Sequence, residues 1–321
     1  VNSPAAGAVP PPRTILSFAA VALIWGSTWY VITGQIAAAP PTWAIAWRFM
    51  LATPAMFLLA AALGNRLALD RRGHGLAAII GLFQFCGNFN FVYRAEMHLT
   101  SGVVAVLFVL IIVSNAVLAR LLLGERTGRG FWAGGAIAFA GMALLLIHEA
   151  RAGILGGDVP LGAAFALLAV LTASVANVIQ AGGTGRRTAM AALLAWSMLY
   201  GTLANVVLAL VLGEPLALPD SAAFWSGLAF LALGGSVVTF PLYYGLIRQI
   251  GAGRAAYQNI FVIIVAMLIS TALEDYDWSL LAVLGALLAL SGTFMALRAR
   301  TRPPGVAQPS TASSAIAERP S

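Results

Sequence analysis

Charge is scarce in this chain. Only 9% of its 321 residues are charged, against 60% that are hydrophobic, so a water-soluble fold would lack the polar side chains to cover its surface. Lysine is absent, and the net charge of +7 rests on arginine. Those arginines lie in short loops between apolar runs and form no basic face, which excludes nucleic acid as a partner. The one cysteine, Cys86, falls inside an apolar run, excluding a disulfide framework and a cysteine-based metal site. No Asp or Glu lies near the middle of an apolar run, and His74, His98 and His148 all fall at run ends. The chain therefore lacks the intramembrane histidine and the carboxylate clusters that metal or general acid–base chemistry needs, and it has no Gly-x-Ser-x-Gly nucleophile element. No cofactor, no metal and no catalytic residue is expected, and the chain is read as a non-enzyme.

What is present is apolar length. Runs cover 14–33, 42–63, 75–93, 99–122, 130–148, 160–180, 189–212, 222–246, 254–273 and 278–298. A span needs roughly 20 apolar residues to cross a ~30 Å hydrocarbon layer. Ten such spans fit this length. The runs are continuously apolar and long, whereas barrel strands alternate over about ten residues, so the fold class is an all-α membrane protein of ten transmembrane helices. Residues 1–13, with their prolines, and 299–321, rich in Pro, Ser and Ala, read as disordered tails. The first run is read as a span rather than a signal peptide, because it is too long for an apolar signal core.

Arginine also sets the orientation. With the N-terminus in the cytoplasm, loop arginines such as Arg66, Arg71, Arg72, Arg126, Arg129, Arg186 and Arg187 are inside, and only Arg94 and Arg151 fall outside. The loops after the seventh and ninth runs carry Glu214, Asp220, Glu274, Asp275 and Asp277 with no Arg. This pattern implies a multi-pass protein of the bacterial inner membrane with both termini cytoplasmic.

The chain also repeats itself. One offset aligns Trp47 with Trp196, Gly64 with Gly213, Leu67-Ala68-Leu69 with Leu216-Ala217-Leu218, Gly102 with Gly251, and Glu125 with Glu274. Five helices per copy is an odd number, so the second copy enters the membrane inverted. The expected units are a first five-helix repeat at 14–150 and an inverted one at 151–298. Many alternating-access carriers are built from such repeats, with the site at the midplane between them.

Trp25-Gly26-Ser27-Thr28-Trp29 in the first run, Trp47-Arg48-Phe49 in the second and Leu122-Leu123-Gly124-Glu125-Arg126 after the fourth carry a family resemblance. The chain resembles the drug/metabolite transporter superfamily, in its ten-helix EamA branch, and within that branch the YddG-type aromatic amino-acid exporters. The resemblance spans 14–298 and implies export of small metabolites, with aromatic amino acids favoured. It departs from the family pattern in having no proline in the fourth or ninth run. A multidrug or other metabolite carrier of the same fold is the alternative, and an intramembrane enzyme a lesser one.

Polar residues inside spans are the candidate binding groups, because an amide in hydrocarbon needs a partner. Gly81, Gln84, Asn88 and Phe91 form one stripe of the third run; Ser174, Asn177 and Gln180 form another on the sixth; Ser236, Thr239 and Tyr243 form a third on the eighth. Trp25 and Tyr200 lie near mid-span, where belt anchoring does not explain them, whereas Tyr93, Trp225 and Trp278 lie near span ends and read as interfacial. The substrate-binding set is therefore Trp25, Gln84, Asn88, Asn177, Tyr200, Ser236 and Tyr243. Interhelical hydrogen bonding is the competing role for each polar member. Arg48, the one strongly charged side chain inside a run, either attracts a substrate carboxylate, or snorkels outward or ties the carbonyl ends of a neighbouring helix. With no mid-span carboxylate, movement without an obligatory intramembrane proton carrier is expected. The expected partners are a small-molecule substrate and the lipid bilayer, with the chain acting as a monomer or alternatively as a dimer. Pro54 and Pro241 should bend their helices, and the glycine faces Gly134–Gly141 and Gly285–Gly292 should let the fifth and tenth helices pack closely.

The orientation has a direct test. A cysteine at position 218 should react with a membrane-impermeant maleimide added to whole cells, and one at position 300 should not; the reverse pattern would overturn it.

Overall fold

The computed structural model describes residues 12–124, 127–153, 157–250 and 257–300. Expectations placed on Glu125, Arg126, Gly251 and Arg254, and on most of both tails, lie outside those residues. The described chain is helical: α1 (Pro12–Ala38), α2 (Pro41–Ala62), α3 (Arg71–Ala95), α4 (Ser101–Leu122), α5 (Arg129–Ala152), α6 (Val159–Gln180), α7 (Met190–Val211), α8 (Ala222–Tyr243), α9 (Gln258–Leu273) and α10 (Leu280–Arg300). Among the described residues nine of these are long and apolar enough to cross a membrane, and α9 is a shorter apolar helix of 16 residues. A short helix, Gly183–Arg187, links α6 to α7.

Local chemistry sets the helix ends. Asp70 and Asp158 cap α3 and α6 by accepting from Gly73 N at 2.7 Å and Leu161 N at 3.0 Å. Gly64 and Gly213, equivalent in the repeat, both close a helix in the left-handed region, at φ 70° and 66°. A side chain there would be strained.

Two further features obey the same offset. The third helix changes to π geometry over Gly81–Asn88 and the eighth over Phe230–Val238. The hydroxyls of Thr53 on α2 and Thr202 on α7, 149 residues apart, meet at 3.3 Å. Around this point the halves exchange contacts reciprocally: Trp47 Nε1 donates to the Ala217 carbonyl at 3.3 Å, and Trp196 Nε1 donates to the Leu67 carbonyl at 2.8 Å. Packing obeys the same exchange, with α1 against α9, α4 against α6, α2 against α7, and α5 against α10. This is the pattern that two inverted five-helix repeats related by a two-fold axis would generate. Pro54 lies within a continuous α2, and Pro241 comes directly after the π segment of α8.

α5 and α10 pack backbone to backbone. A methyl group built on Gly134 would lie 2.5 Å from Ala296 N, and one on Gly141 would lie 2.5 Å from the Gly285 carbonyl. Lipid tails are as apolar as leucine, so close van der Waals approach, more than the hydrophobic effect, holds such a pair. Gly141→Leu must separate these backbones. It should lower the melting temperature of the purified protein, by an amount corresponding to about 1–3 kcal/mol or more; an unchanged melting point would contradict this packing.

Candidate functional site

Between the halves lies a cavity of about 680 Å³. It reaches the α6–α7 connection, where Gly185, Arg186 and Thr188 line it, at the end of the bundle where α1 begins and α10 finishes. From there it runs inward to Arg48, about two turns from the far end of α2. α1 contributes Trp25, Thr28 and Trp29; α3 contributes Gln84, Asn88 and Phe89; α4 contributes Phe108 and Asn115; α6 contributes Asn177 and Gln180; α8 contributes Phe240 and Tyr243; and α9 contributes Asn259.

The walls are aromatic, with rings packed edge to face or tilted. Trp25 packs against Phe240 at 5.5 Å and Tyr243 at 5.1 Å between ring centroids, and Trp29 against Phe108 at 4.9 Å. Trp25 Nε1 donates to the Gly235 carbonyl at 3.1 Å. That carbonyl belongs to the π segment of α8. Amides are interleaved with the rings. Gln84 Nε2 donates to Asn88 Oδ1 at 3.3 Å, while Asn88 Nδ2 donates to the Ala169 carbonyl of α6 at 2.9 Å.

Five of the seven residues singled out from the sequence thus line one cavity: Trp25, Gln84, Asn88, Asn177 and Tyr243. Ser236 is fully buried behind the wall, accepting from Arg48 Nη2 at 3.2 Å and donating to the Leu231 carbonyl at 3.0 Å. Tyr200 stands apart from the cavity, its hydroxyl 3.0 Å from His74 Nδ1 and its ring against Trp196.

The stripe read on the third helix does not survive. Gln84 and Asn88 line the cavity, but Gly81 faces α7, where an added methyl would lie 2.7 Å from the Ser197 carbonyl, and Phe91 stacks on Phe165 of α6. The π segment adds residues to a turn and rotates the helix beyond it, so a 3.6-residue period loses phase across it. The sixth-helix stripe divides as well, because Ser174 is fully buried and outside the lining. Tyr93 is corrected too: it is fully buried rather than interfacial. Trp29, Phe108 and Asn259 were not anticipated. The i, i+4 spacing of Trp25 and Trp29 was the available signal for the first.

Arg48 is 2% exposed and does not snorkel. Its guanidinium lies 4.5 Å from the Phe89 ring centroid and 5.4 Å from that of Phe49. The Tyr93 hydroxyl lies beside it without a hydrogen bond of normal geometry, and beyond stands Glu96. Glu96, just past the end of α3, is fully enclosed, and both its oxygens lack a hydrogen-bond partner. Burial pushes its carboxyl well above the usual range, nearby Glu274 adds to the rise, and Arg48 opposes it. The expected absence of carboxylates therefore describes the middle of the spans, and their far ends enclose several. Glu149 accepts from Thr100 N at 2.8 Å and Glu274 accepts from Ser101 Oγ at 2.7 Å. Among the described residues no group of three His, Cys, Asp or Glu could hold a metal ion.

A polar network lies at the far ends of α2, α3 and α7. Arg94 Nη2 pairs with Glu214 Oε1 at 2.9 Å, which also accepts from Thr42 Oγ1 at 2.8 Å. Arg94 Nη1 donates to Asn90 Oδ1 at 2.7 Å, and Asn90 Nδ2 donates to Asn205 Oδ1 at 2.7 Å. This ties α2 and α3 of one half to α7 of the other. Glu214→Gln removes the charge pair and should favour opening on that side. In a Cys86→Ser background, a cysteine replacing Val92 should then react with an external maleimide several-fold faster than without the Glu214 change. Equal rates would show that this network does not hold the cavity shut.

The EamA-like transporter family matches the chain twice, over 12–147 and 160–298. Protein PagO of Salmonella typhimurium is 25% identical over 294 residues, covering 89% of this chain and 93% of its own. The uncharacterized inner membrane transporter YedA of Escherichia coli is 29% identical over 280 residues, covering 83% and 86%. The uncharacterized transporter YyaM of Bacillus subtilis is 25% identical over 286 residues, covering 84% and 89%. A solved crystal structure with 19% identity superposes at a TM-score of 0.64 over 89% of this chain and 97% of its own, and so shares the fold. With both halves matched and nine described helices long and apolar enough to span a membrane, the chain belongs to the EamA-like transporter family and is a multi-pass inner-membrane transporter.

Proposed function

We propose that this transporter exports small metabolites by alternating access, amino acids being the substrate class and aromatic ones favoured. The observation that carries the reading is the lining of the cavity, in which aromatic rings from both halves enclose side-chain amides. Its volume of about 680 Å³ falls within the common range for small-molecule sites, roughly 300–1,000 Å³. Rings of this kind hold the apolar body of a flat solute, and Gln84, Asn88 and Asn177 can bond its polar groups. The resemblance to aromatic amino-acid exporters points the same way. A single chain encloses the whole cavity, so a monomer suffices as the working unit.

With the termini cytoplasmic, the cavity faces the cytoplasm, the loading side for an exporter. The closed far side then becomes the release side, opened when the Arg94–Glu214 network parts. The cavity lining contains no carboxylate among the described residues, in keeping with substrate movement down its own gradient.

Proteoliposomes loaded with single labelled amino acids test the reading. Phenylalanine or tryptophan should leave faster than alanine, and efflux should persist when an uncoupler collapses the proton gradient. Asn177→Leu and Trp25→Ala should each change the aromatic-to-small transport ratio several-fold while membrane levels stay near normal. Unchanged ratios with lowered melting temperatures would mean that these residues only join helices; absence of amino-acid efflux would remove this substrate class.

A further inference from the structure

The cavity is electrically one-sided. Its described lining includes two arginines, Arg186 exposed at the mouth and Arg48 at the closed end, and no Asp or Glu. Arg48 is also incompletely satisfied. Nη2 donates to Ser236 Oγ, but Nε and Nη1 are buried without a hydrogen-bond partner, and the residue has no ion-pair partner among the described residues. A guanidinium carries five donors in a planar fork, and leaving them unmatched away from water is costly. The flanking Phe89 and Phe49 rings offset part of that cost, and the Tyr93 hydroxyl beside the guanidinium makes no hydrogen bond of normal geometry with it.

We infer that Arg48 is the recognition site for a carboxylate on the transported solute, so that the substrates are carboxylate-bearing anions or zwitterions and not cations. Carboxylate oxygens match the fork of a guanidinium in pairs, and the solute supplies the acceptors that the protein withholds. Glu96, the carboxylate beyond Tyr93, makes no ion pair with Arg48 and so does not occupy this role. The lining offers a ligand ammonium only amides, hydroxyls and ring faces. The carboxylate should therefore dominate recognition, and the amine should be dispensable. Arg186 at the mouth favours entry of the same charge.

Carboxylate recognition by Arg48 deepens the amino-acid reading and rests on it for the location of the site, but the tests separate the two. Binding of L-tryptophan, indole-3-propionate, tryptamine and L-tryptophanamide to the purified wild-type transporter is compared by calorimetry. L-tryptophan and indole-3-propionate should bind roughly 10- to 100-fold more tightly than the amine or the amide, as expected for a hydrogen-bonded charge. Arg48→Gln should abolish that difference by weakening the two acids roughly 10-fold or more relative to tryptophanamide, and Arg48→Lys, which keeps the charge without the fork, should fall between wild type and Arg48→Gln. The same comparison with leucine and leucinamide covers a non-aromatic substrate. If only that pair discriminates, the preference for aromatic substrates fails and the carboxylate site stands. If no acid binds more tightly than its amide, or if Arg48→Gln weakens acid and amide equally, the carboxylate site is overturned. Should Arg48→Gln fail to fold, the acid-to-amide ratio of the wild type still decides.

Discussion

A backbone amide inside hydrocarbon has no water to bond, so each segment must satisfy its own peptide groups. The rest of this structure depends on that constraint. It makes every spanning segment a helix, and it leaves polar side chains to specify contacts, with one another or with a second lone pair of a backbone carbonyl. It also puts a premium on close backbone approach, since apolar packing against lipid tails offers little gain. α5 and α10 answer with glycines at their contact, whereas α2 and α7 meet through a threonine pair and exchanged tryptophans.

The places where helical bonding departs from the regular ladder are where the transporter meets its cavity. Both π segments, Gly81–Asn88 and Phe230–Val238, border it, and they are equivalents in the repeat. The first turns Gln84 and Asn88 toward the cavity while Gly81 admits α7. The second brings the Gly235 carbonyl to Trp25 and Ser236 to Arg48. Irregular backbone costs less where it borders a polar cavity than where it faces lipid, which accounts for its position. The symmetry is broken in the side chains: Arg48 has Ser197 as its counterpart, and Ser197 merely bonds the Leu193 carbonyl of its own helix. A symmetric scaffold thus carries a cavity whose far end is asymmetric.

Polar groups divide along the axis of the molecule. The described lining of the open cavity has amides, hydroxyls and two arginines. The closed side concentrates the acids, with Glu96, Glu149, Glu214 and Glu274 all buried or half-buried there. Glu149, Glu214 and Glu274 each accept a bond from another helix or from the segment before one. Glu96 is enclosed without such a bond. A carboxylate-bearing solute entering past Arg186 at the mouth would therefore pass amides before reaching Arg48.

By itself the sequence determined the number and course of the helices, the internal repeat and the glycine pairing of α5 with α10. Those are consequences of apolar length, small-residue spacing and a constant offset, all of which act locally or through composition. Among its candidates it also named five residues that line the cavity, Trp25, Gln84, Asn88, Asn177 and Tyr243, because polar or aromatic residues at mid-span have few uses. Only the tertiary structure decided that Tyr200 bonds His74 and that Ser236 serves Arg48 from behind the wall. Only it showed Tyr93 buried and Trp29, Phe108 and Asn259 turned toward the cavity. The physical reason is the phase of a helix: a π segment rotates the residues after it out of a 3.6-residue pattern, and the partner that each face meets is set by a helix from the other half of the chain.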